Sequence, residues 1–223
     1  MTSRPDHRRT RIAGRLAALL VVPVLVLAAC GSDGGSSDGS KATGGSGQLE
    51  GTVHTPALQV GDITLPQVST SKPDVPFTFK AKQGKLLFVA FGYTNCPDVC
   101  PTTLSDMKKA KAKLGADGDK VDMAFVTIDP ERDTPDVIVP YLGSFAKDGG
   151  HPIRTTDADA LAKAKDAFDV KSSVTKKPDG EVEVTHSARS FIVDDTGKVV
   201  VEWNFGTGSD GMAHDLAILL DRA

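Results

Sequence analysis

Two cysteines set four residues apart, Cys96 and Cys100, are the residues of this chain best placed to do chemistry. They stand in Phe91-Gly92-Tyr93-Thr94-Asn95-Cys96-Pro97-Asp98-Val99-Cys100-Pro101, after an apolar run and before a helical pattern. Pro97 and Pro101 remove two backbone donors and stiffen the connection. Cys100 falls at or beside the expected helix N-cap, where free N–H groups and the helix dipole favour thiolate over thiol. The offset in a helical turn puts both side chains on one side. Their Cα atoms would then be roughly 6 Å apart, which a disulfide accepts. Two thiolates on one metal ion need sulfurs about 3.5–4 Å apart, given metal–sulfur bonds of ~2.3 Å. Disulfide, dithiol and metal clamp therefore all remain open. An inert structural bridge is the weaker reading, because so short a loop gains little entropy. The pair also sits at the carboxyl end of an expected strand, where open α/β sheets place their sites.

The elements that must hold the pair can be read around it. Residues 85–91, KLLFVAF, form a continuous apolar run between Gly84 and Gly92 and predict a strand buried on both faces. Residues 101–114 predict a helix with Pro at its first position. Residues 121–128, VDMAFVTI, read as a second buried strand. Thr134-Pro135-Asp136 opens another helix through Phe145, with a capping Thr, a starting Pro and an acid at the positive end of the dipole. Residues 157–168 form an amphipathic helix with Leu161, Ala164, Ala167 and Phe168 on one side. Residues 190–193 and 198–205 flank Asp195-Thr196-Gly197 and predict an antiparallel hairpin. A last helix covers residues 212–220. This order predicts an α/β, thioredoxin-like fold, a central mixed β-sheet flanked by helices on both faces. Met107, Met123 and Met212 fall within these elements and are expected in the core rather than on a metal.

Composition bounds the partners. The chain has 223 residues, 26 Lys+Arg against 29 Asp+Glu, and three cysteines. A formal charge of -3 offers no basic surface for a phosphate backbone, so nucleic acid is not an expected partner. Three cysteines are too few for a disulfide scaffold, and the odd one has a separate role. Arg4, Arg8, Arg9, Arg11 and Arg15 precede residues 16–29, which are apolar except Pro23. A basic stretch before a short apolar one reads as an export signal. Its apolar part covers roughly 21 Å as a helix, short of the ~30 Å hydrocarbon core. Arg8-Arg9 hints at twin-arginine export, but the flanking residues fit that route poorly. The signal ends in Leu27-Ala28-Ala29-Cys30, which resembles the bacterial lipoprotein cleavage box, and Cys30 is the expected lipidation site. Removing residues 1–29 takes away five Arg and one Asp and leaves a charge of -7. An acidic body does not adhere to anionic lipid, so acyl chains must do the anchoring. Residues 31–48 hold seven Gly and five Ser and are expected to form a flexible tether. Its r.m.s. span would be roughly 23 Å. Residues 49–223 then make one domain on the outer face of the cell membrane.

Three stretches carry a family resemblance. Residues 91–104, FGYTNCPDVCPTTL, closely resemble the Cys-x-x-x-Cys-Pro site of the Sco/SenC family. Residues 127–135, TIDPERDTP, resemble that family's second signature. Val184-Thr185-His186-Ser187, followed by Phe191-Ile192-Val193-Asp194, resembles its third. The resemblance runs from about Phe77 to the C-terminus. It implies a thioredoxin-fold, membrane-anchored copper protein that helps to assemble the dinuclear copper centre of cytochrome c oxidase. It implies copper as the metal, with Cys96 and Cys100 as thiolate ligands and His186 as the imidazole ligand. Asp129 matches a loop acid without an assigned role. Thr185 departs from the family, which commonly has Asp beside the histidine, and residues 171–183 form a Lys-rich, hairpin-like insertion.

Of the five histidines, His7 lies in the signal, and His54, His151 and His214 read as surface or satisfied residues. His186 differs, since it ends a Glu/Val alternation and enters a strand. Two soft thiolates with one imidazole suit copper or zinc and exclude Mg and Ca. Two functions follow. One is copper binding and delivery to the copper-bearing oxidase subunit, with loading from a copper donor protein. The other is a thiol–disulfide oxidoreductase in which Cys96 and Cys100 form a redox disulfide that reduces client cysteines. Redox thioredoxins use Cys-x-x-Cys and place a cis-proline opposite the pair. This chain has a longer spacing, and Ser187-Ala188-Arg189-Ser190 holds no proline, which favours the metal. A scaffold lipoprotein with a stabilising bridge is the third reading, and it assigns no role to His186.

Overall fold

A computed structural model describes residues 47–146 and 150–223. The export signal, His7, the lipidation site Cys30 and the tether up to residue 46 lie outside the described residues. No helix among the described residues is long and apolar enough to cross a membrane.

The apolar run after Gly84 does form a strand, β3 (Leu86–Gly92), and all seven of its residues are buried. Leu86, Phe88 and Ala90 enter one core, while Leu87, Val89 and Phe91 enter the other. Alternation along a strand sends successive side chains to opposite faces, so an unbroken apolar run marks the middle of a two-sided sheet. Its neighbour β4 (Val121–Thr127) runs parallel to it, with Leu86 opposite Val121 and Gly92 opposite Thr127.

Seven strands form the main sheet. Besides β3 and β4 these are β1 (Thr64–Gln67), β2 (Val75–Thr78), β5 (Gly150–Ile153), β8 (Arg189–Val193) and β9 (Val199–Asn204), in the order β2-β1-β5-β4-β3-β8-β9. The centre is parallel, and both flanks are antiparallel, which gives the mixed sheet expected from the sequence. Helices α1 (Val99–Lys113), α2 (Pro135–Gly143) and α4 (Gly208–Leu220) bury Leu104, Met107, Ile138, Leu142, Met212 and Leu216 against one face. Helix α3 (Ala158–Ala167) packs Leu161 and Ala164 on the other. Met107, Met123 and Met212 are core residues, as the sequence indicated.

The β1–β2 edge hairpin and the short strand β5, which includes His151, lie beyond the sequence reading. The segment read in the sequence as a Lys-rich, hairpin-like insertion forms a separate ribbon of β6 (Ser172–Lys176) and β7 (Val182–His186). His186 is its last residue, paired with Ser172. The ribbon thus delivers an imidazole to the end of the sheet where β3 stops.

Candidate metal centre

The loop between β3 and α1 carries the first sulfur and α1 carries the second. Asp98 is the N-cap of α1, so Cys100 is the second helical residue and Cys96 lies in the loop before it. The Cys100 N–H points at Cys96 Sγ, 3.3 Å away. Cys96 N–H donates to the Tyr93 carbonyl at 3.2 Å, which folds the loop back on itself. Both cysteines are free and buried. Gly92 permits this approach. A β-carbon at that position would stand 2.7 Å from Cys100 Sγ and 2.9 Å from the Phe125 ring.

From the ribbon, His186 turns Nε2 toward Cys100 Sγ at 3.6 Å. Its Nδ1 lies 3.0 Å from the Ser187 carbonyl. A carbonyl only accepts, so Nδ1 carries the proton and Nε2 presents its lone pair to the sulfurs. Burial pushes the His186 pKa down, against the Ser187 bond, and so favours this neutral form. The Tyr93 ring meets the imidazole edge-on, with centroids 6.1 Å apart. Thr185 points away from the site, its hydroxyl 2.7 Å from that of Ser173 on β6. The departure from the family pattern there thus lies on the side of β7 away from the His186–Cys100 contact.

Together Cys96, Cys100 and His186 bring two sulfurs and one nitrogen within 4.8 Å of one another. The sequence expectation for Cys100 needs one correction. Proximity to the helix N-terminus does not win. Burial, then the interaction with Cys96, pushes the Cys100 thiol well above its ordinary range, so the metal-free Cys100 is held protonated. A metal would have to displace that proton on binding. The donor set is soft and borderline, which suits copper or zinc and not Mg or Ca. The other histidines among the described residues are satisfied elsewhere, His54 by Glu202, His151 by Gln67 and His214 by Asp215.

With the geometry in hand, comparison with known proteins decides the family. The family model described as SCO1/SenC matches residues 63–221. The chain belongs to the SCO1/SenC family. Among curated relatives of this SCO1/SenC protein is the SCO1 protein homolog of Bacillus subtilis, 28% identical over 58% of this chain and 72% of that one. The mitochondrial SCO2 protein of Saccharomyces cerevisiae is 31% identical over 56% of this chain and 42% of its own length. The SCO2-like protein of Rickettsia typhi is 30% identical, and the match spans 61% of it. Among solved structures, apo Sco1 from Thermus thermophilus is 28% identical over 77% of this chain and 97% of that one, with a TM-score of 0.64. ScoI of Bradyrhizobium japonicum with copper bound is 31% identical over 69% and 96%, with a TM-score of 0.58. These neighbours carry the thioredoxin-like fold expected from the sequence.

In this SCO1/SenC chain the second signature has a structural task that sequence alone did not reveal. Asp133 is fully buried in the loop between β4 and α2. It accepts from the Thr94 N–H and hydroxyl and from Thr127 Oγ1, and so ties the cysteine loop to the sheet. Asp129, the loop acid noted in the sequence, pairs instead with Arg132, whose guanidinium lies over the Tyr93 ring at 5.9 Å. No local pattern distinguishes Asp133 from Asp129. Only the fold shows which one reaches the loop.

Proposed function

We propose that this protein carries copper as cargo on Cys96, Cys100 and His186 and hands it to the copper-bearing subunit of cytochrome c oxidase. The observation that carries the reading is the convergence of two free sulfurs and one imidazole lone pair within 4.8 Å. A 31% identical relative solved with copper bound supports it, as does the resemblance of all three signatures. Both cysteines must be reduced and deprotonated to load, so cargo binding is coupled to redox state and pH. Three protein donors leave a position at which an acceptor's thiolates enter, and the cysteines then leave one at a time. A copper donor protein loads the site. Acyl chains on Cys30 hold the protein on the outer face of the cell membrane, and residues 31–48 serve as its tether.

Thiol–disulfide exchange is the second reading, favoured by the close approach of Cys96 Sγ to the Cys100 N–H at 3.3 Å. Against it stand the protonated, buried Cys100 and the histidine where redox thioredoxins place proline. One experiment separates the two. Reduced, metal-free protein is mixed with an oxidised client copper domain, and copper-loaded protein with a reduced one. Copper should pass to the reduced client from wild type and not from His186→Ala, with no client thiols released by metal-free protein. Client reduction that survives His186→Ala would establish the oxidoreductase instead. Cys30→Ala should move the protein from the membrane to the soluble fraction, and unchanged fractionation would remove the anchor.

A further inference from the structure

Behind the cysteine loop lies a buried carboxylate that no cation among the described residues pairs with. Asp133 is 0% exposed. Its oxygens accept from the Thr94 N–H at 3.0 and 3.2 Å, from Thr94 Oγ1 at 2.5 Å and from Thr127 Oγ1 at 2.6 Å. The Thr127 hydroxyl already accepts the Asp129 N–H at 3.0 Å, so its own proton points to Asp133. Every one of these partners donates, so the Asp133 oxygens act only as acceptors, as a carboxylate does. The guanidinium next in sequence, Arg132, pairs through Nε with Asp129, and its buried Nη2 makes no hydrogen bond to Asp133. Among the described residues no ion pair reaches Asp133. An isolated buried charge is costly. Thr94 lies two residues before Cys96, which puts this charge directly under the loop that bears the first sulfur.

We propose that Asp133 is a positioning residue whose negative charge biases the cargo site toward Cu(II) over Cu(I). The inference rests on the copper reading above. Two thiolates and Asp133 place three negative charges around the cargo. A dication leaves one of them uncompensated, whereas a monocation leaves two. In a low-dielectric interior that difference favours the dication. Asp133 therefore does two things through Thr94. It fixes the loop, and it sets the charge against which the cargo is held.

The test uses the full-length protein as wild type, Asp133→Asn and Thr94→Val, each reduced and loaded with one equivalent of copper. The Cu(II)/Cu(I) midpoint is read by spectroelectrochemical titration of the thiolate-to-copper absorption. Asp133→Asn is expected to lower the preference for Cu(II) by about tenfold, a rise of about 59 mV for a one-electron couple. Thr94→Val removes a hydrogen bond but keeps the charge, and its midpoint should stay with wild type. The metal-free Cys96/Cys100 disulfide–dithiol couple gives a second readout. Neutral thiols and a neutral disulfide respond little to the charge, so Asp133→Asn should leave that couple in place, whereas a slackened loop would move it. Should Asp133→Asn not fold, Asp133→Ser removes the same charge and decides by the same midpoint. Equal copper midpoints with and without the charge overturn the proposal. So does an equal shift in Thr94→Val or in the metal-free couple. Wild-type protein that takes up no copper overturns the copper reading and this inference with it.

Discussion

Gly92 shows how much of the metal centre depends on a side chain that is missing. Helix α1 can bring Cys100 against the end of β3 because nothing projects from residue 92. Gly92→Ala would force the sulfur or the Phe125 ring to move, and overpacking of this kind costs about 1–3 kcal/mol. A lower denaturant midpoint together with weaker copper uptake is the expected result. Full retention of both would mean the loop has slack. The sequence disclosed the cysteine pair because its spacing is local, and the resemblance disclosed His186. It did not disclose Gly92 or Asp133, because their partners lie some way along the chain at Cys100, Phe125 and Thr94. The protonation of Cys100 is hidden from the sequence for the same reason. A helix N-terminus is visible in a sequence, whereas the burial that outweighs it is not.

At the scale of elements, the legible parts were those with one strong pattern. β3 announced itself through an unbroken apolar run, and the β8–β9 hairpin through Asp195-Thr196-Gly197. Gly197 has φ of +85°, and a β-carbon there would meet the Gly61 backbone at 2.3 Å, so the turn needs glycine. β1 and β2 escaped notice because each is short and each holds a proline, Pro66 and Pro76, which argues against a strand. β2 is the edge strand, where a proline is tolerated, whereas β1 lies between β2 and β5 and meets β5 only at Gln67, the residue after Pro66. The ribbon also sets where residue 185 points. Alternation in β7 turns Thr185 outward while His186 faces the cysteines. Thr185→Asp is therefore expected to leave the absorption of the copper-loaded protein unchanged. A displaced band would show that residue 185 acts on the imidazole after all.

For the molecule as a whole, the segment before the sheet is fastened by a second buried carboxylate. Asp215 on α4 accepts from the Glu50 and Gly51 N–H groups at 2.8 and 2.9 Å, and from Trp203 Nε1 at 2.8 Å. His214 Nδ1 lies 3.0 Å away. Burial alone would push its carboxyl up, but these donors outweigh it and hold the pKa below the usual carboxylate range. A depressed carboxylate contributes stability above its unfolded pKa and loses it as pH falls toward the folded value. Stability should thus decline through the acid range, and Asp215→Asn should remove about 1–3 kcal/mol at neutral pH while flattening that decline. Parallel pH series of denaturant midpoints for the two proteins test this, and identical slopes would contradict it. The account as a whole stands on three donors around one copper. Copper-edge X-ray absorption on the loaded full-length protein addresses that most directly. Two sulfur scatterers and one imidazole are expected in wild type, with the imidazole signal lost in His186→Ala. A first shell without sulfur, or one that the His186→Ala substitution leaves unaltered, would contradict the account.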